Sequence, residues 1–237
     1  MAKRILIGFF LCVALLKAGF SVEAADEKLV IDSSALPAIA CHFESRITLA
    51  EKTVQPQARG WYFWREPARI ETRSTTGEAG QIWELSPKEQ VSYQRIFRDA
   101  KRVIEYTSGA LRSLGEAPEW RKIASLIDPA LIGFELKGGE EIEVLGRRAY
   151  RYVGQVDGQE LEVWWLAHEG IPARLRQTGK NYEEVMQLKE LHALSQAPWL
   201  RNETAGYELI DYADLGDKES DPFVRALLHG QTLPHGH

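Results

Sequence analysis

The chain has 237 residues, of which 44% are hydrophobic, 27% charged and 10% aromatic. This balance is typical of a folded globular protein and excludes a disordered, collagen-like or coiled-coil chain. The formal net charge of −5 at pH 7 disfavours binding to nucleic acid, because contacts with a phosphate backbone require a strongly basic surface.

The first 24 residues have the pattern of a cleavable export signal. Two basic residues precede an apolar run, residues 5–16, and small or apolar residues occupy the positions that a signal peptidase reads before position 25. The run is shorter than the roughly 20 apolar residues of a transmembrane helix, and no later stretch approaches that length. We therefore predict a signal peptide at 1–24, a periplasmic location, and a single mature domain over 25–237.

Cleavage of this signal changes the charge and the cysteine content. Three of the 29 basic and one of the 34 acidic side chains lie in the signal, so the mature chain keeps 26 basic and 33 acidic side chains, a net charge of −7. Cys12 is lost with the signal and Cys41 remains alone, which excludes an intramolecular disulfide. The hydrophobic core must therefore hold the fold without a covalent link.

From His42 onward, short segments rich in β-branched and aromatic residues are separated by Gly, Pro, Asn or Ser, which is the strand pattern. The predicted strands span 42–51, 58–66, 69–75, 80–85, 90–97, 101–106, 141–145, 148–156, 159–167, 172–178 and 182–192. Turn signals at Asp157-Gly158, Glu169-Gly170 and Thr178-Gly179 predict hairpins and hence a meandering antiparallel sheet. Residues 182–192 also fit a helical stripe, so this segment is ambiguous.

A helical segment is predicted to interrupt the strands between residues 107 and 131. Apolar residues from Trp120 to Ile127 follow the i, i+3, i+4, i+7 spacing of one helix face, with Pro118 suited to the first turn and Pro129 ending the helix. A shorter helix is predicted at 108–113.

A short C-terminal helix is predicted from its capping residues. Asp221 can cap its N-terminus, Pro222 can begin it and Gly230 can end it, and Phe223 and Leu227 belong to its apolar side.

Known catalytic motifs are mostly absent from the sequence. It contains no G-x-S-x-G, G-x-x-x-x-G-K, G-x-G-x-x-G or H-E-x-x-H pattern. Cys41 and His42 are adjacent, but neighbouring residues of a strand point to opposite faces and cannot form a nucleophile and base pair. The sequence therefore predicts no catalytic residue, no cofactor and no enzyme activity.

The C-terminal region leaves two alternatives open. Five acidic residues lie within 211–221, but their spacing misses the calcium-loop pattern, while His229, His235 and His237 could bind a transition metal. A metal-binding protein is therefore one alternative, although we predict no built metal site. The other is an envelope-assembly module whose acidic C-terminal segment docks a protein partner.

The aromatic residues are the most informative feature of the sequence. Residues 61–64 are four consecutive aromatics on one predicted strand, and Trp164-Trp165 are two on another. Since side chains alternate, each run places large rings on both faces of the sheet. One interpretation is a sheet covered by the helical segment on one side and by a C-terminal segment with Phe223 and Leu227 on the other. The second leaves part of the aromatic surface lining a groove for an apolar ligand.

A family resemblance favours the second interpretation. The stretch Gly60–Ile70, the Gly-led Trp segment Gly80–Pro87, and Leu161–Leu166 followed by Gly170–Arg174 resemble, in this order, strands of the LolA/LolB-like superfamily of outer-membrane lipoprotein carriers. The succession of hairpins with inserted helices covers residues 42–194. In these carriers an Arg commonly stands directly before the Pro, whereas here Glu66 does. The nearest basic residue is Arg65, which a strand would turn to the opposite face.

The resemblance implies an α+β fold, a curved antiparallel half-barrel of about ten strands with a helical lid inserted mid-chain. Residues 108–131 would form the lid, and 195–237 would be a C-terminal extension without a counterpart. It also implies non-covalent binding of an acyl chain or of a lipid-modified protein. Apolar burial of about 25 cal/mol per Å² is enough to hold a long acyl chain in this way.

These considerations predict a ligand-binding concavity lined by aromatic and aliphatic residues. The predicted lining residues are Tyr62, Trp64, Trp83, Leu111, Ile123 and Trp164. Strand alternation groups Tyr62 with Trp64 and Trp61 with Phe63, and predicts that one of these pairs packs under the C-terminal segment.

Overall fold

A computed structural model of the chain describes residues 36–50 and 58–228. The predicted signal peptide, Gly230 and the three C-terminal histidines lie outside the described residues. The strands, in chain order, are β1 Ile39–Leu49, β2 Arg59–Glu66, β3 Arg69–Ser74, β4 Ala79–Leu85, β5 Val91–Phe97, β6 Arg102–Tyr106, β7 Lys137–Val144, β8 Arg147–Val156, β9 Gln159–Leu166, β10 Ile171–Thr178, β11 Tyr182–Ala193 and β12 Glu208–Asp211.

These strands form one curved twelve-stranded sheet in the order β12-β6-β5-β4-β3-β2-β1-β11-β10-β9-β8-β7. All pairings are antiparallel except that of β12 with β6, which is parallel. The predicted α+β half-barrel with a mid-chain helical segment and a short C-terminal helix is confirmed. The ambiguous segment 182–192 is a strand, because its apolar residues Val185, Met186 and Leu188 are buried between β1 and β10.

The turn chemistry explains the hairpin order. Asp157 and Gly158 both have positive φ angles, 49° and 75°, as a two-residue hairpin turn between β8 and β9 requires. Gly170 has φ 62° between β9 and β10, and the turn into β10 is closed by its N–H donating to the carbonyl of Leu166 at 2.8 Å.

Three α-helices are present in the described residues: α1 Ser108–Ser113, α2 Trp120–Ser125 and α3 Pro222–Leu228. The helix predicted up to Ile127 ends earlier, because Leu126 adopts a left-handed conformation with φ 62°. Asp221 caps α3 as predicted, since its Oδ1 accepts from the Phe223 N–H at 2.8 Å.

The inner face of the sheet, defined as the face that carries α2, holds the main core. Trp120 and Ala124 of α2 join a buried cluster with apolar residues of β1, β2, β3 and β11. The sheet residues of this cluster include Cys41, Phe43, Trp61, Phe63, Ile70, Met186 and Leu188. The pair Trp61 and Phe63 therefore belongs to the inner face.

The opposite, outer face is covered by residues 197–207, which we call the belt. The belt follows the 3₁₀ turn Leu194–Gln196, and its Trp199 ring stacks on Tyr62 at 4.8 Å between centroids. Further along, Tyr207 packs on Ile82 and its neighbours before the chain enters β12. The pair Tyr62 and Trp64 is thus the one beneath the C-terminal segment.

A buried carboxylate fastens the belt to β3. Glu71 is 1% exposed, and its carboxylate accepts from Arg201 Nε at 2.8 Å and from the Asn202 N–H at 3.1 Å. Arg69 of β3 donates to the same carboxylate at 2.9 Å. Gly80 lets the belt approach closely, because a Cβ there would meet the Asn202 side chain.

The C-terminal segment continues around the sheet edge to the inner face. Phe223 of α3 meets Phe97 edge to face at 5.1 Å and joins a cluster with Ile104, Ile210 and, at its margin, Leu227. The expectation that Phe223 and Leu227 cover the face opposite the helical segment was wrong. The belt covers that face, and α3 lies on the same side of the sheet as α2.

Replacing Trp199 by Ala tests the belt as a structural cover. The loss of ring packing on Tyr62 should lower the free energy of unfolding by about 1–3 kcal/mol, measured by urea denaturation. The neighbouring Leu200 is 82% exposed, so Leu200→Ala is the matched control and should change stability by less than about 0.5 kcal/mol. Equal effects of the two substitutions would contradict this role of the belt.

Candidate functional site

The six residues predicted from the sequence to line a concavity do not share one face. Trp83 and Ile123 pack at the margin of the inner-face cluster, and Leu111 is the buried residue of α1, which contacts β5 and β6. Tyr62 and Trp64 lie on the outer face. Whether any of the six contacts a ligand stays a prediction.

Trp164 lies on the outer side of β9 by strand register, as the direct partner of Arg174, and its ring also packs at the margin of the main buried cluster. It alternates with Val163 and Trp165, which are buried in a second cluster beside Leu136. Its indole N–H donates to Glu162 at 3.1 Å, and the Arg174 guanidinium lies 5.2 Å from its ring centroid. Trp164 therefore belongs to the charged outer face of β9 and β10.

An aromatic row crosses the inner face of β4, β5 and β6. Trp83 stacks on Tyr93 at 4.2 Å, Tyr93 meets Tyr106 at 5.3 Å, and Tyr106 stacks on Tyr212 at 4.7 Å. Burial raises the pKa of Tyr93, and its hydroxyl has no hydrogen-bond partner among the described residues. The row continues the apolar surface of Phe63 away from the strands that α2 covers.

Arg65, at the inner end of β2, fastens three segments over this surface. Its side chain is buried, at 2% exposure, and its Nη1 donates to the carbonyl of Ala124 in α2 at 2.7 Å. Its Nη2 donates to the Pro37 carbonyl at 3.1 Å and also to the Glu169 carbonyl. One guanidinium therefore holds the segment before β1, helix α2 and the β9–β10 turn together.

Arg65 stays protonated in its buried environment. Burial lowers its pKa to about 10, partly offset by the nearby Glu169, so the group is protonated at neutral pH. The Glu169 carboxylate itself pairs with Arg147 Nη1 at 2.7 Å. Burial raises the pKa of the adjacent Cys41 thiol, which is therefore not a nucleophile.

Sequence reasoning noted Arg65 as the basic residue nearest to Pro67 and placed it on the opposite strand face from Glu66, but assigned it no role. One signal was available: Arg65 shares strand alternation with Trp61 and Phe63, so an inner-face arginine follows two inner-face rings. A buried arginine requires several acceptors, and backbone carbonyls of covering segments supply them here.

The acidic C-terminal residues serve local structure rather than a metal site. Asp211 Oδ1 accepts from the Ala213 N–H at 2.8 Å, and Asp221 pairs with Arg102 at 3.0 Å. Within residues 36–50 and 58–228, no group of three or more His, Cys, Asp or Glu side chains could hold a metal ion. No helix in the same part of the chain is long and apolar enough to span a bilayer.

Comparisons with known proteins give similarity at the level of fold. No protein-family model matches the chain, and no curated protein matches it. The chain is 12% identical to PNGF-II, with a TM-score of 0.42 over 76% of this chain and 32% of that chain. It is 15% identical to MucB in complex with MucA(peri), with a TM-score of 0.36 over 76% of this chain and 57% of that chain.

A LolA superfamily protein from Nitrosomonas europaea is also similar, at 8% identity and a TM-score of 0.36 over 74% of this chain and 96% of that chain. The chain thus spans about a third of the PNGF-II chain and just over half of the MucB chain. The family named from the sequence is represented among these structures, all three with TM-scores below 0.5.

Replacing Arg65 by Leu tests its role in closing α2 over the sheet. Because the carbonyls of Ala124 and Glu169 lose their donor, amide exchange of residues 122–126 should accelerate about tenfold or more, as measured by hydrogen–deuterium exchange. Global stability is a weaker readout, since an apolar replacement also removes a buried charge.

Arg176→Leu provides the matched control. Arg176 lies on β10 and pairs with Glu160 at 2.8 Å, away from α2. Its replacement should leave amide exchange in α2 unchanged. Unchanged amide exchange in the Arg65→Leu variant would contradict the role of Arg65 in holding α2 on the sheet.

Proposed function

We propose that this chain is a periplasmic, non-covalent binding or carrier protein for an apolar ligand. The ligand is an acyl chain, free or attached to a protein, and it binds between the inner face of the sheet and α2. The observation that carries the proposal is Arg65, which closes three segments over an apolar and aromatic surface through backbone carbonyls alone.

This type of closure suits a lid that opens and closes. Hydrogen bonds between a charged donor and carbonyls contribute about 1.5–3 kcal/mol each, and water can replace the guanidinium at each carbonyl when the lid opens. An acyl chain gains about 0.8 kcal/mol per buried CH₂ group. A chain of roughly 10 carbons therefore gains enough to displace several such bonds.

The proposal includes no covalent step. The Cys41 thiol is buried on the inner face, while the adjacent His42 lies on the outer face, where its Nδ1 is 3.4 Å from Glu190. These two groups cannot act together on a bound ligand. Binding and release are therefore sufficient to describe the activity that we propose.

Export to the periplasm and recognition of a protein partner are further parts of the proposal. The export signal rests on residues 1–24 and the sequence pattern alone. A docking role for the acidic C-terminal segment is less supported, because the belt and α3 pack on both faces of the sheet as structural covers. The exposed carboxylates of this segment are the groups that a protein partner could contact.

Quenching by a brominated fatty acid, 9,10-dibromostearate, tests where an acyl chain binds. Bromine quenches tryptophan emission only at short range, so quenching of the wild-type protein should fall when Trp83 of the inner face is replaced by Phe. Trp199→Phe and Trp164→Phe, both on the outer face, should leave the quenched fraction unchanged or raise it.

Two results would overturn the proposal. An absence of quenching at saturating dibromostearate would remove acyl-chain binding. Quenching that depends on Trp164 or Trp199 but not on Trp83 would move the ligand to the outer face. Arg65→Leu should speed both uptake and loss of the probe in stopped-flow measurements, because the lid opens more readily.

A further inference from the structure

A cleft of about 430 Å³ lies at the ends of β2, β3 and β4, at the far end of β2 from Arg65. We call it the mouth cleft. Its wall includes the β3–β4 turn, where the Ser74 hydroxyl lies 2.6 Å from the Thr76 hydroxyl and Gly77 has φ 81°. The lining residues are Ala58, Arg59, Gly60, Trp61, Thr72, Arg73, Ser74, Thr75, Thr76, Glu78, Ala79, Gly80 and Gln81.

The strand register connects this cleft to the apolar inner face. One inner-face row runs through Ile70, Trp83 and Tyr93, which are direct partners across β3, β4 and β5. Two residues nearer the cleft, the same strands present Thr72, Gln81 and Arg95 as direct partners.

The inner surface therefore changes from apolar to polar over one strand repeat, roughly 7 Å. The polar row is internally bonded, since Thr72 Oγ1 lies 3.5 Å from Gln81 Oε1. Beyond it, the Trp61 indole N–H donates to the Ser45 hydroxyl at 3.0 Å. A molecule that lies along the strands would meet rings and aliphatic groups at one end and hydrogen-bonding groups at the other.

Basic residues concentrate at the polar end, although the chain as a whole carries a net charge of −5. Arg59 lines the mouth cleft, and Arg95 is the direct inner-face partner of Gln81. The Arg73 guanidinium, by contrast, lies on the outer face over the Tyr62 and Trp64 rings. Glu78 is the one acidic lining residue and is exposed. Arg98 reaches Gly77 of the wall, with Nη1 3.4 Å from the position of a Cβ there.

We infer that the mouth cleft binds an anionic head group, a phosphate or carboxylate, of an amphiphile whose acyl chain lies on the apolar inner face. This inference rests on the proposed function and narrows it to anionic lipids or acyl compounds. Guanidinium groups and hydroxyls are the donors that proteins use for oxyanions, and the cleft presents both. Ser74, beside the proposed head group, and Ile70, where the acyl chain would begin, are four residues apart on β3, which corresponds to about 13 Å.

Two lysolipids with the same acyl chain test the inference, one anionic and one zwitterionic. Lysophosphatidylglycerol should bind the full mature protein about tenfold more tightly than lysophosphatidylcholine at low salt, measured below their micelle concentrations by displacement of a fluorescent fatty acid. The preference should shrink as salt is raised, because Arg59 is exposed and its charge is screened.

The double substitution Arg59→Gln and Ser74→Ala should reduce the preference to about twofold or less, while binding of lysophosphatidylcholine stays unchanged. Arg176→Gln, on β10 outside the cleft, is the matched control and should keep the full preference. Thermal melting verifies the fold of each variant, and the salt dependence of the wild-type preference needs no variant.

The outcomes separate this inference from the proposed function. Equal, salt-independent affinity for the two lysolipids refutes the head-group site but keeps acyl-chain binding. Failure of both lysolipids to displace a bound fluorescent fatty acid refutes the head-group inference and keeps acyl-chain binding, whereas failure of the fluorescent fatty acid itself to bind refutes the proposed function. Inorganic phosphate is tested as a third ligand. If phosphate binds at the cleft while the two lysolipids bind equally, the cleft binds free anions, and its assignment to the head group of an amphiphile is refuted.

Discussion

The need to cover both faces of β2 determines the architecture. Four consecutive aromatic residues place Trp61 and Phe63 on one face and Tyr62 and Trp64 on the other, and Trp64 and Phe63 are fully buried. Each buried ring removes roughly 150–250 Å² from water, so neither face can be left to solvent. Two separate segments cover the sheet: the helical segment covers the inner face and the belt covers the outer face.

The two covers are fastened by different chemistry. The belt is held by the Glu71 carboxylate, which Arg69 of β3 also contacts, and by the stacking of Trp199 on Tyr62. Helix α2 is held by the guanidinium of Arg65, which belongs to β2 and donates only to backbone carbonyls, including that of Ala124. Opening of α2 would expose Arg65 to water and remove Trp120 and Ala124 from the inner-face cluster, whereas opening of the belt would unpack Trp199 from Tyr62. The proposed function takes α2 as the cover that opens and the belt as the cover that stays.

Most of the sheet could be predicted from the sequence, but the composition of the site could not. Turn signals and alternation located ten strands and left 182–192 open between strand and helix, because these signals are local properties of the chain. Alternation also showed that Tyr62 and Trp64 share a face, but it could not place Trp83 relative to them. That relation depends on the pairing of Ile70 with Trp83, a register set by the β3–β4 turn. Strand β12 was missed because its four residues pair in parallel with β6 only after the belt has crossed the sheet.

The position of the belt also explains why the candidate site lies on the inner face alone. On the outer face, the belt covers Tyr62, whereas β8 and β9 carry ion pairs such as Arg151 with Glu162 at 2.7 Å beside the Trp164 ring. An acyl chain has no continuous apolar path there, since it would have to displace the belt or desolvate these charges. The inner face has a continuous path from Phe63 across Trp83 and Tyr93. The same constraint that buries two aromatic pairs is thus the reason why the proposed ligand site uses the inner face, where Arg65 fastens α2.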